Sequence, residues 1–121
     1  NNLIYEIKCF KYLQNISILE AENLNIFSLH KGVYLNLPNL NILDLRENKL
    51  VSISEDIVML KYLKVLKLDN NSITNLPKNI YNMISIETLS FSNNNITFIE
   101  PNIKKLKNLR RLNFSHNQIN S

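Results

Sequence analysis

The chain has 121 residues, 45% of them hydrophobic, ample for one domain with its own core. Its 14 Lys and Arg against 10 Asp and Glu leave a formal charge of +4, too small and too divided by acidic early segments to describe a surface that tracks nucleic-acid phosphates. A single Cys excludes an internal disulfide, a single Gly excludes a glycine-rich phosphate loop, and no run approaches the ~18 consecutive apolar residues of a membrane helix.

In the first segment, "IYEIKCFKYLQNI", Ile7, Phe10, Leu13 and Ile16 recur every third residue. That spacing predicts a short helix over the first strand, so residues 1–15 read as a degenerate coil or an amino-terminal cap. "ISILEAENLNI" from Ile16 opens a more regular frame, although Ala21 replaces a large residue and Leu24 stands where later copies have Asn. The following "FSLHKGVYLNLPN" is one residue longer than its later counterparts and holds Gly32, which predicts a bulge or tighter turn.

From Leu40 onward the chain repeats itself with a period of about 23 residues. The units read "LNILDLRENKL", "LKVLKLDNNSI", "IETLSFSNNNI" and "LRRLNFSHNQI", starting at Leu40, Leu63, Ile86 and Leu109. Each fits L-x-x-L-x-L-x-x-N-x-L, and the apolar positions continue in step at Ile53, Leu76 and Ile99, then Ile57, Ile80 and Ile103, then Leu60, Met83 and Leu106. The frame divides the chain into repeats at 16–39, 40–62, 63–85 and 86–108 and an incomplete last repeat at 109–121, all within a single domain. Stopping partway through a repeat and lacking an initiator Met, the chain reads as a fragment or trimmed chain, with self-association through uncapped ends as a further expectation.

The sequence resembles the leucine-rich repeat proteins, and "LPKNIYNMI" is similar to the "LPxxIxxL" return arm of their intracellular, Ras-group members. The Pro at that place occurs in one copy only; Ser54 and Glu100 hold the equivalent positions. The resemblance implies an α/β solenoid: a curved, right-handed parallel sheet on the concave face, with short helices, 3-10 turns or loops on the convex face. Strands are predicted at 43–45, 66–68, 89–91 and 112–114, with alternate side chains inward. After each strand the chain turns sharply, and an inward Asn supplies an acceptor and two donors to backbone groups that have no strand partner. Asn48, Asn71, Asn94 and Asn117 are therefore expected to form a structural ladder with no catalytic role.

Reactive chemistry has little to work with. His30 and His116 are coils apart, Cys9 has no near partner in the frame, and no His/Cys spacing suits zinc. No nucleophile–base–acid set assembles from the columns, so no enzyme, cofactor, metal or catalytic residue is expected. The basic run "IKKLKNLRRL" keeps Ile103, Leu106 and Leu109 in the core frame, which turns Lys104, Lys105, Lys107 and Arg110 outward as a solvated arm; neither nucleic acid nor membrane is expected to bind there.

A surface is what the repeat does specify. Glu20, Asp44, Lys67, Ser90 and Asn113 line up as one outward column, Glu22, Arg46, Asp69, Ser92 and Ser115 as the next. Ile18, Ile42, Val65, Thr88 and Arg111 flank them on one side, and Asn23, Glu47, Asn70, Asn93 and His116 on the other. The face is acidic at its start, mixed at Asp44, Arg46, Lys67 and Asp69, which read as exposed charges, and neutral to basic at its end. Leucine-rich repeat proteins generally hold a protein partner on this face. The expected function is thus a non-catalytic interaction module or scaffold, with Glu20, Glu22, Ile42, Asp44, Arg46, Val65, Lys67, Asp69, Ser90, Ser92, Arg111 and Asn113 as partner-binding residues.

The Ras-group resemblance implies small GTPases or phosphatase subunits as partners. The lone Cys9 favours a reducing compartment, cytoplasmic or nuclear. Four N-x-S/T sequons, at Asn15, Asn70, Asn95 and Asn113, are close to what a chain this rich in Asn and Ser produces by chance. They keep open the alternative of a secreted or cell-surface recognition protein; the recognition module of a larger enzyme is the other alternative.

Overall fold

The computed structural model describes residues 15–29 and 31–119; the helix expected in the first segment, together with Cys9 and His30, lies outside them. Among the described residues, five short strands stack into a single parallel sheet in chain order: β1 (Ile18–Glu20), β2 (Ile42–Asp44), β3 (Val65–Lys67), β4 (Thr88–Ser90) and β5 (Arg111–Asn113). The four predicted strands, β2 to β5, each lie one residue earlier than their apolar pairs suggested. The hydrogen-bonded ladder nonetheless runs on beyond each strand, for the N–H groups of Leu45, Leu68 and Phe91 donate to the carbonyls of Lys67, Ser90 and Asn113.

Register is uniform. Ile18, Ile42, Val65, Thr88 and Arg111 are cross-strand partners in turn, as are Glu20, Asp44, Lys67, Ser90 and Asn113. The residues between them, Leu43, Leu66 and Leu89, are fully buried. Because side chains alternate along a strand, one apolar position per strand centre commits its two neighbours to the opposite face.

The chain returns to the next strand through a short helix on the convex side: α1 (Gly32–Asn36), then the 3-10 helices η1 (Glu55–Met59), η2 (Lys78–Asn82) and η3 (Pro101–Lys105). The residue before each 3-10 helix, Ser54, Pro77 or Glu100, takes the same extended conformation, with φ from −64° to −71° and ψ from 143° to 147°. Proline enforces that φ, whereas Ser54 holds it while its hydroxyl accepts the Asp56 N–H at 3.0 Å. The arm's geometry therefore survives without the proline.

The longer first arm is resolved differently from the expected bulge or tighter turn. Gly32 has no positive φ; it is buried at the start of α1, and the extra residue is absorbed by a helical turn in which the N–H of Leu35 bonds to the carbonyl of Lys31. Val33 and Tyr34 of α1 and Ile57 and Ile80 of η1 and η2 close the core from the convex side against the strand leucines.

Asn48, Asn71, Asn94 and Asn117 are hydrogen-bonded to backbone groups of their own and the preceding coil. Asn71 donates from Nδ2 to the carbonyls of Leu45 and Leu68, both at 3.0 Å, and accepts the Leu50 N–H at Oδ1. Asn94 and Asn117 repeat the pattern one and two coils on, binding the N–H groups of Ile73 and Ile96. In the first coil Leu24 has no amide to offer, and Asn48 compensates: its Oδ1 accepts from both Leu24 and Ile26 at 3.0 Å. Among the described residues, no buried side-chain nitrogen or oxygen lacks a partner.

The residue preceding each ladder position, in contrast, was not foreseen. Asn23, Glu47, Asn70, Asn93 and His116 all have φ between 55° and 61°. Asn tolerates this left-handed conformation better than other residues with a Cβ. The doubled Asn70–Asn71 thus divides two tasks: the first turns the backbone, and the second satisfies it.

Candidate functional site

The concave face is assembled by the register just described, but its charges are not equally available. Asp44 is 3% exposed, which corrects its reading as a surface charge. It holds Arg46 from two sides, Oδ1 accepting Nε at 2.9 Å and Oδ2 accepting Nη2 at 2.8 Å, while Oδ1 also accepts the Arg46 backbone N–H. Burial pushes the Asp44 carboxyl upward, yet these bonds, with the charges of Arg46 and Lys67, outweigh it and hold Asp44 below the usual carboxylate range. The bonds to Asp44 outweigh desolvation in turn and raise the Arg46 guanidinium. Arg46 also reaches across to Glu22, with Nη2 3.3 Å from Oε1.

One coil further, Asp69 is tied down by hydroxyls instead of a cation. Its Oδ1 accepts from Ser90 Oγ at 2.6 Å, from the Ser92 N–H at 2.7 Å and from Ser92 Oγ at 2.8 Å. Ser92 is itself buried, so like Asp44 it shapes the face from beneath. Asn113, in the Asp44 column, repeats instead the within-coil contact of Asp44, its Oδ1 accepting the N–H and Oγ of Ser115 two residues on. Glu20, Glu22, Arg111 and Asn113 are exposed, and Ile42, Arg46, Val65, Lys67, Asp69 and Ser90 half-buried. A shallow hollow of about 300 Å³ lies over this part of the sheet, its polar lining made by Arg46, Lys67, Asp69, Thr88, Ser90, Arg111 and Asn113.

A second seam of polar side chains, missed in the sequence, runs where the return arms lead back to the strands. Ser85 Oγ donates to the carbonyl of Leu63 at 2.7 Å, and Asn41 and Asn108 donate to the carbonyls of Tyr62 and Ile84. Its residues come from two positions of the repeat, Asn41 from one and Ser85 and Asn108 from another, so no single column marks it. On the convex side a groove of about 620 Å³ opens between Leu76, Pro77, Tyr81, Phe98 and Glu100. Lys104, Lys105, Lys107 and Arg110 point to solvent and Leu106 is buried, as the frame required. Among the described residues there is no cluster able to hold a metal ion and no helix long and apolar enough to cross a membrane.

Comparison with known proteins agrees with this architecture. Residues 61–119 match the family described as "Leucine rich repeat". A leucine-rich repeat protein of Leptospira interrogans superposes with a TM-score of 0.85 at 34% identity, over 94% of this chain and 28% of that one. The chain is a leucine-rich repeat protein. The leucine-rich repeat domain of APL1B shares its fold, with a TM-score of 0.75 at 23% identity over 99% of this chain and 36% of that one. Internalin C2 of Listeria monocytogenes gives 0.64 at 25% identity over 88% and 54%. The present leucine-rich repeat chain thus spans between about a quarter and about half of the length of these structures. No curated protein matches it. Leucine-rich repeat domains are generally protein–protein interaction modules and generally non-catalytic.

Proposed function

We propose that the chain is a non-catalytic scaffold that holds a protein partner on its concave sheet. One observation carries this reading: the core and turns use up the apolar residues and the ladder asparagines, while the sheet face keeps four aligned columns of differing side chains, most of them at least partly exposed. A column one repeat long is spaced at about 4.8 Å per coil, so the face is a rigid lattice on which side-chain identity alone sets recognition. Small GTPases and phosphatase subunits are the first partners to screen, on the Ras-group resemblance. The lone Cys9 supports a cytoplasmic or nuclear setting.

The test is affinity capture from extracts with wild type and with Glu20→Trp/Asn113→Trp, which adds bulk at two exposed concave positions without touching the core. A Lys78→Glu/Lys104→Glu variant, altered on the convex arms, is the control. The reading expects one protein retained by wild type and control and lost by the tryptophan variant. Equal retention by all three places recognition elsewhere.

A further inference from the structure

Once its internal pairs are set aside, the concave face has an uneven residue of charge. The contact ion pairs among the described residues both belong to Arg46, which is neutralised by Asp44 and Glu22. Lys67 and Arg111 have no such partner, and both line the hollow above Thr88 and Ser90. Asp69 lines it too, but its Oδ1 is already occupied by Ser90 and Ser92. Arg46 lines it as well, its charge taken up by the buried Asp44, so Arg46, Lys67 and Arg111 against Asp44 and Asp69 leave a single net positive charge at the hollow. Toward β1, Glu20 is exposed and Glu22 is only partly engaged, so the other end of the face is acidic.

We propose that the hollow between Lys67 and Arg111 is an anion subsite that seats one carboxylate from an acidic segment of a protein partner. The proposal rests on the concave-face reading and adds the chemistry of what binds there. Arg111 offers a planar fork suited to a carboxylate, Lys67 a mobile point charge, and the half-buried Thr88 a neutral hydroxyl between them. A single excess charge matches a carboxylate; a phosphate near −2 would be only half neutralised and would face Asp69. The acidic end at Glu20 fixes polarity, because a partner laid on in reverse would set like charges against each other.

The experiment uses fluorescein-labelled octapeptides of alternating Glu and Ser, the same peptide with Gln for Glu, and one with phosphoserine for Glu, titrated by fluorescence anisotropy at low ionic strength. Wild type is expected to prefer the Glu peptide over the Gln peptide by on the order of tenfold, the scale of one charge-assisted contact. Lys67→Gln/Arg111→Gln should abolish that preference at an unchanged melting temperature, and Lys67→Arg/Arg111→Lys should restore it. Equal binding of the Glu and Gln peptides overturns the proposal. So does a preference that survives in Lys67→Gln/Arg111→Gln and disappears in Lys104→Gln/Lys105→Gln/Lys107→Gln. Tighter binding of the phosphoserine peptide at the same two residues replaces the carboxylate with a phosphate. A protein partner captured by Lys67→Gln/Arg111→Gln but lost by the tryptophan variant overturns the subsite alone; one captured by both removes the concave-face reading with it.

Discussion

The Asn71 carboxamide reaches back one coil to the backbone N–H of Leu50, which its Oδ1 accepts at 3.0 Å inside the core. The same side chain donates to the carbonyl of Leu45, so a single amide joins two coils at a turn where neither strand can supply a partner. Replacing it with an isosteric apolar group leaves those backbone groups buried and unbonded. Asn71→Leu is expected to destabilise by roughly 1–3 kcal/mol in urea unfolding although it adds hydrophobicity, and Asn117→Leu, at a half-buried position, by less. A raised melting temperature for Asn71→Leu would refute the ladder's role.

Position 47 offers the opposite experiment. Glu47 has φ 57°, the same left-handed turn that Asn70 makes at 61° and Asn93 at 55°. A residue with a Cβ and no compensating amide is strained there, so Glu47→Gly should raise stability by up to about 1 kcal/mol. Asn70→Val should lower it by about 1–2 kcal/mol, since a branched Cβ is least tolerated at positive φ. Thermal unfolding of the two variants side by side checks the sign of both.

Asp44 and Arg46 make stability depend on pH. The Asp44 carboxyl titrates below its unfolded value of 3.8 in the native state, so its contribution is complete above that value and fades as pH falls toward the folded one. In Arg46→Met the guanidinium's bonds and charge are lost and only the Lys67 charge and the residue-46 backbone N–H still oppose burial, so the same carboxyl rises and the native state loses its preference for the ionised form. The variant should be less stable than wild type by about 1–3 kcal/mol at pH 7, the guanidinium being partly exposed, and the gap should narrow on acidification. Melting temperatures from pH 3 to 7 would test this; a gap independent of pH would count against the pairing.

Much of this molecule could be read from its letters because one repeat writes the same instruction at each coil. The strand leucines, the arm isoleucines and the ladder asparagines occupy equivalent environments, so each environment repeats its residue. The features missed are those where a shared backbone geometry accepts different side chains. Ser54, Pro77 and Glu100 make one conformation from three chemistries, as Glu47 and His116 share a turn with three asparagines. A hint was present in the column Asn23, Asn70 and Asn93, whose amides are frequent at positive φ. The burial of Asp44 left no trace in the pattern, because it depends on the neighbour Arg46 folding over it and not on the period.

Core and edge should separate cleanly. Leu66 is fully buried at the centre of β3, whereas Ile84 is 56% exposed beside the polar seam. Leu66→Ala is expected to cost about 2–5 kcal/mol, and Ile84→Ala no more than about 0.5 kcal/mol. Chemical denaturation of both variants is the measurement, and comparable losses would contradict the assigned frame.

The first return arm is one residue longer than the rest, yet Ile18 still meets Ile42 and Glu20 still meets Asp44. The extra residue disappears into α1 on the convex side, and the hydrogen-bond lattice of the sheet does not register it. Front and back of each coil are therefore mechanically separate. Insertions and deletions in an arm change the outline of the back while the spacing of side chains on the front stays the same. A lineage, or an engineer, can vary arm length and front-face residues as two independent alphabets.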